Sequence, residues 1–93
     1  MPNNLIISYD LYRPVQKYEE VAEAIKSLGN WAKIHDSVWY VNSRFDAQNA
    51  VNKIWAVMDA NDTVLVVDVT NGNAAWENVS DEVANYMISQ WNS

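Results

Sequence analysis

Three short segments carry the groups best suited to chemistry: Asp10, Tyr12 and Arg13; His35, Asp36 and Ser37; and Asp62 with Thr63. A carboxylate such as Asp10 holds Mg²⁺ through oxygen, and a guanidinium such as Arg13 steadies a phosphate. Together they describe a hard-cation or phosphodiester site. His35 is the single histidine, and its ordinary pKa lies close enough to neutrality for a general base. Each residue also has a plain structural use. Asp10 can end a strand, Asp36 and Ser37 can form a turn, Asp62 can precede a strand, and a lone turn histidine is usually just solvated. The chain has no Gly-rich phosphate loop, nucleophile elbow, metalloprotease histidine pair or calcium loop.

Whether those segments meet depends on the elements between them. Leu5 to Asp10 is short, apolar and rich in strand formers, and predicts strand one. Tyr18, Val21, Ala22, Ile25 and Leu28 recur at helical spacing and predict a helix over about 16–28, with Gly29 as a left-handed stop. Trp31 to Val41 is β-rich around the polar break His35-Asp36-Ser37. It reads as two strands, about 31–35 and 37–42, joined by a tight turn, with one long bent strand as the alternative. Trp39 and Tyr40 alternate in the second of these, so one can be core while the other is exposed.

Asp46 predicts the N-cap of a second helix, whose buried face would be Val51, Ile54, Trp55 and Met58. Thr63 to Val69 is the strongest strand, and Asn71-Gly72-Asn73 a turn. Behind Ser80, a candidate N-cap, and the acids Asp81 and Glu82, Val83, Tyr86, Met87 and Trp91 fall at helical spacing. The order is β-α-β-β-α-β plus a terminal helix. Its simplest closure is one α+β domain over 1–93, a ferredoxin-like sandwich with a four-stranded antiparallel sheet, 1–70 forming the core. Right-handed crossovers place strand one between strands three and four. The end of strand one then lies beside the starts of strands three and four, which gathers the polar segments at one edge.

Composition narrows the classes. Ninety-three residues without cysteine leave no disulfide framework and no thiolate zinc site. Five Trp, five Tyr and one Phe supply large buried areas to a small core. No apolar run approaches the roughly 18–20 residues that cross a bilayer, and the N-terminus lacks a signal-peptide pattern; a cytoplasmic protein without membrane association is expected. The net charge is −6, and it is lopsided. Residues 1–53 hold all six bases against six acids, whereas 54–93 hold six acids and no base. That balance disfavours duplex DNA as a ligand of the isolated domain, because tracking a duplex takes a stripe of positive charge.

Ile7-Ser8-Tyr9-Asp10 before a loop and helix, then Asp36-Ser37-Val38-Trp39 entering a strand, resembles the small CRISPR-associated protein of the spacer-integration complex and its relative, virulence-associated protein D. The run Ser8-Tyr9-Asp10-Leu11, then Ile25-Lys26-Ser27-Leu28-Gly29, then Asp36-Ser37 and Ala74-Ala75-Trp76, is most similar to short proteins labelled "SinR family". The resemblance spans about 4–76. It implies a homodimer with one aspartate per subunit at the interface and a Mg²⁺-dependent nuclease activity. By position Asp10 would be the metal-binding, catalytic aspartate and Ser37, the serine that opens strand three, a second catalytic candidate. The polar edge itself offers Tyr9, Arg13, His35 and Asp36 as binding candidates. Two features depart from that pattern. The CRISPR-associated relative usually carries a basic surface for its DNA, which this chain lacks, and after strand four it usually adds a fifth strand that crosses to the partner, where this chain has a tryptophan-bearing turn and a helix.

Two functions are therefore expected. The first is a homodimeric, non-catalytic protein-interaction or regulatory module with a protein partner; the second is a Mg²⁺-dependent endoribonuclease.

Overall fold

A computed structural model describes residues 2–12 and 14–91, and the backbone alone for 14–17. The elements are β1 (Asn3–Asp10), α1 (Pro14–Lys26), β2 (Gly29–His35), β3 (Val38–Ser43), α2 (Ala47–Trp55), β4 (Thr63–Asp68) and α3 (Asp81–Gln90). The strands form one antiparallel sheet in the order β2-β3-β1-β4. This is the ferredoxin-like arrangement predicted from the element order, with the additional C-terminal helix. The polar break at 36–37 closes a hairpin between β2 and β3, not a bent strand.

One face of the sheet holds the main core. Period-two alternation puts Leu5, Ile7 and Tyr9 of β1 beside Trp39 and Val41 of β3 and Val66 of β4. Val21, Ala22 and Ile25 of α1 and Ala50 and Ile54 of α2 pack into the same cluster. Each large side chain buried there contributes about 1.5–3 kcal/mol relative to exposure. Asp46 caps α2 as its sequence position predicts, its carboxylate accepting from the Asn49 N–H at 2.8 Å. α1 begins earlier than the apolar stripe suggested, on Pro14, whose fixed φ suits a first helical turn.

Two expectations fail locally. Trp55 is exposed, because α2 is only nine residues long and rests on the sheet through Ala50 and Ile54. Gly29 is no left-handed stop. It opens β2 with φ 159°, and a Cβ there would stand 2.2 Å from the Asn42 carbonyl oxygen. Close approach to β3 is what excludes a side chain.

The opposite face is covered by α3. Val83, Tyr86, Met87 and Trp91 pack with Ala32, Ile34, Tyr40 and Ile6. Trp39 and Tyr40 consequently are both buried, one under α1 and α2 and the other under α3. The expectation that one of them faces solvent assumed an open second face. Trp91 stacks on Tyr40 with ring centroids 5.7 Å apart. Beneath them Asn4, 2% exposed, accepts from the Tyr40 hydroxyl at 2.7 Å and donates to the Trp91 carbonyl at 2.7 Å. α3 leaves the outer part of this face open: Leu65 and Val67 of β4 stay exposed.

Candidate functional site

β1 and the β2–β3 turn meet as the topology requires. The Tyr9 N–H donates to the Ser37 carbonyl at 3.2 Å, carrying the β1–β3 ladder to the turn. The Tyr9 hydroxyl donates to the Asp36 carbonyl at 3.3 Å and accepts from the Trp39 indole at 3.4 Å. A recess of about 340 Å³ results, lined by Tyr9, Asp10, Leu11, Tyr18, Asp36 and Ser37. On the other side Asp10 pairs with Thr63 in the β1–β4 ladder.

The other predicted residues divide. His35 ends β2 as an exposed residue just past the irregularity in β2–β3 pairing, and it does not line the recess. Asp62 is buried and structural: one carboxylate oxygen accepts from the Tyr12 N–H at 2.7 Å, the other from the Asp59 N–H at 2.8 Å. It ties the end of β1 to the turn before β4. The Tyr12 side chain is exposed. Arg13 lies outside the described residues.

Two neighbours went unnoticed in the sequence. Tyr18 looked like one rung of an apolar stripe, yet its hydroxyl accepts from Lys33 and its ring lines the recess. The Lys33 ammonium also lies 5.8 Å from the centre of the Trp39 ring. Strand alternation was the available signal, because Lys33 faces Trp39 across β2–β3 and so shares its side of the sheet. The hydrogen bond to Tyr18 raises the Lys33 pKa. Burial pushes the Tyr9 phenol above its ordinary value, opposed in part by the Trp39 hydrogen bond.

Mg²⁺ binds through one or two carboxylates while keeping several waters. The Asp10 and Asp36 carboxylates and the Ser37 hydroxyl belong to residues of one recess and fit that pattern of donors. Among the described residues no group of three His, Asp or Glu comes together around a common point.

A larger crevice lies elsewhere, between the segment after β4 and α3. It encloses about 500 Å³ and is bordered by Trp76, Met87, Ile88 and Trp91. An adjoining apolar hollow of about 230 Å³ shares Trp76, Met87 and Trp91 and reaches Ile6 and Ile34 of the sheet. Exposed Glu77, Asp81 and Glu82 belong to the same segment and the first turn of α3.

No protein-family model matches this chain, and no curated protein matches it. Among the described residues no helix is long and apolar enough to cross a membrane.

Proposed function

We propose that this chain is a small homodimeric, non-catalytic protein-interaction or regulatory module that receives a basic, apolar segment of a partner protein beside α3. The observation that carries this reading is the crevice with Trp76 and Ile88 exposed at its border, set in a half of the chain with six acids and no base. Exposed aromatic and aliphatic side chains supply anchor area, and the acids of the same stretch of chain, Glu77, Asp81 and Glu82, favour lysine and arginine on the incoming surface. The polar edge around β1 supports the same reading, since Asp62 and Tyr9 spend their polar groups on backbone partners. The test is affinity capture from lysate with the wild-type chain, Trp76→Ala and Ile88→Glu in parallel. A basic protein retained by the wild type, lost with either variant and weakened by salt is expected. Equal recovery on all three chains would rule the crevice out.

A second reading has its own observation, the recess that groups Asp10, Asp36 and Ser37. It makes the chain a Mg²⁺-dependent endoribonuclease in which Asp10 of two subunits holds the metal and water attacks an RNA phosphodiester, as the resemblance to the CRISPR-associated and virulence-associated proteins implies. NMR titration with Mg²⁺ or Mn²⁺ separates the two readings. Shifts centred on Asp10, with RNA cleavage abolished by EDTA and by Asp10→Ala, favour the enzyme. A silent Asp10 favours the interaction module.

A further inference from the structure

The two edges of the sheet are unlike. β2 carries the devices that keep an edge strand from pairing with other chains: a charged Lys33, an irregular register between Lys33 and His35, and a Lys26 ammonium 4.8 Å over the ring of its exposed Trp31. β4 lacks the lysine and the irregularity, and its one charge, Asp68, stands at its end. It reads Thr63-Val64-Leu65-Val66-Val67-Asp68 with an unbroken register to β1, no lysine, no proline and no bulge. Leu65 and Val67 are 58% and 41% exposed on the side that α3 leaves open.

The ladder also fixes which backbone groups are free. Val69 N–H donates to the Asn4 carbonyl, so antiparallel alternation turns Val67 and Leu65 toward β1 and points the N–H and C=O of Val64, Val66 and Asp68 outward. That outward row can accept a strand of its own kind. We infer that β4 pairs antiparallel with β4 of a second copy about a two-fold axis at Val66, joining the two sheets into one of eight strands. The inference rests on the homodimer in the functional reading above and gives it a geometry.

The register follows from charge and shape. Of the registers that two-fold symmetry with matching faces allows, those with Val66 opposite Val66 or Leu65 opposite Leu65 at the axis keep the longest overlap of β4 with itself. Centring on Leu65 sets Asp68 against Asp62 of the other copy, and like charges directly opposed are unfavourable. Centring on Val66 sets Asp68 against Val64 and brings Leu65 of each chain beside Val67 of the other. No acid then opposes an acid, and both exposed aliphatic side chains gain an apolar neighbour.

The chain has no cysteine, so cross-linking reads the register cleanly. Size-exclusion with light scattering should give twice the chain mass for the wild type and the single-chain mass for Leu65→Lys with unchanged circular dichroism. The double variant Leu65→Cys/Val67→Cys should oxidise to a covalent dimer, since these positions form a closely spaced, non-hydrogen-bonded pair; Leu65→Cys alone should not. A monomeric wild type would overturn the dimer and this geometry together. A dimer that ignores Leu65→Lys, or that cross-links through Leu65→Cys alone, would overturn the β4 register and leave the homodimer standing.

Discussion

The Tyr40 hydroxyl donates to Asn4 Oδ1 at 2.7 Å in the layer between the sheet and α3. Asn4 also accepts from the Asn42 side-chain amide at 3.3 Å and donates to the Trp91 carbonyl at 2.7 Å. One buried amide therefore links β1, β3 and the end of α3. Removing it orphans several polar groups at once, and each buried unpaired group costs about 1–3 kcal/mol. Asn4→Ala should lower the unfolding free energy by about 3 kcal/mol, measured by urea denaturation. Tyr40→Phe should cost about 1 kcal/mol, because the Asn42 amide still serves Asn4.

Gly29→Ala tests the close contact between β2 and β3. The added Cβ would meet the Asn42 carbonyl oxygen at 2.2 Å and the Ser43 Cα at 3.1 Å. Both are backbone atoms and cannot swing away. A loss of about 3 kcal/mol or more is expected from overpacking, read as a lower denaturation midpoint.

Asp62 and Asp10 stand one ladder position apart in space but differ in use. Asp62→Ala deprives the Tyr12 and Asp59 N–H groups of their acceptor and should cost about 2 kcal/mol. Asp10 is exposed at the end of β1, so Asp10→Ala should change stability by no more than about 0.5 kcal/mol. Parallel thermal melts check both. A destabilised Asp10→Ala would assign that carboxylate to the scaffold.

Alkaline pH should loosen both layers. Burial raises the phenol pKa of Tyr9 under α1 and of Tyr40 under α3. Just above the ordinary value of about 10, the unfolded chain has lost these protons while the folded chain keeps them. The folded state then binds more protons, and stability falls as pH rises. Lys33, raised by its hydrogen bond to Tyr18, acts in the same direction: its contribution is complete below its unfolded pKa and is lost above. Melting temperature should be level from pH 7 to about 9 and fall beyond about 10, with the tyrosinate absorbance of Tyr9→Phe and Tyr40→Phe identifying the groups.

The path of the chain was readable because local signals agreed with one another. Asp46 and Ser80 cap their helices as their positions predict, and the Asp36-Ser37 break became the hairpin turn. What escaped depended on how layers stack. Nothing in residues 38–43 reveals that a helix some forty positions later covers Tyr40, and helical spacing could not show that Trp55 overhangs the sheet. At the polar edge, proximity was foreseen and role was not. Asp62 looks the same as Asp10 in one dimension, and only the facing Tyr12 and Asp59 amides make it a structural cap.

The middle position of β1 bears on how quickly the domain assembles. Ile7 faces Trp39 on one side and Val66 on the other, so the centre of the sheet closes only after two long loops have been drawn in. Such distant pairings make folding slower than in a helical bundle, whereas the β2–β3 hairpin can form within about 1–10 µs. Until β1 arrives, β4 waits as a bare hydrophobic ribbon. Refolding yield should therefore drop with protein concentration, and a gatekeeper charge at Leu65 should restore it.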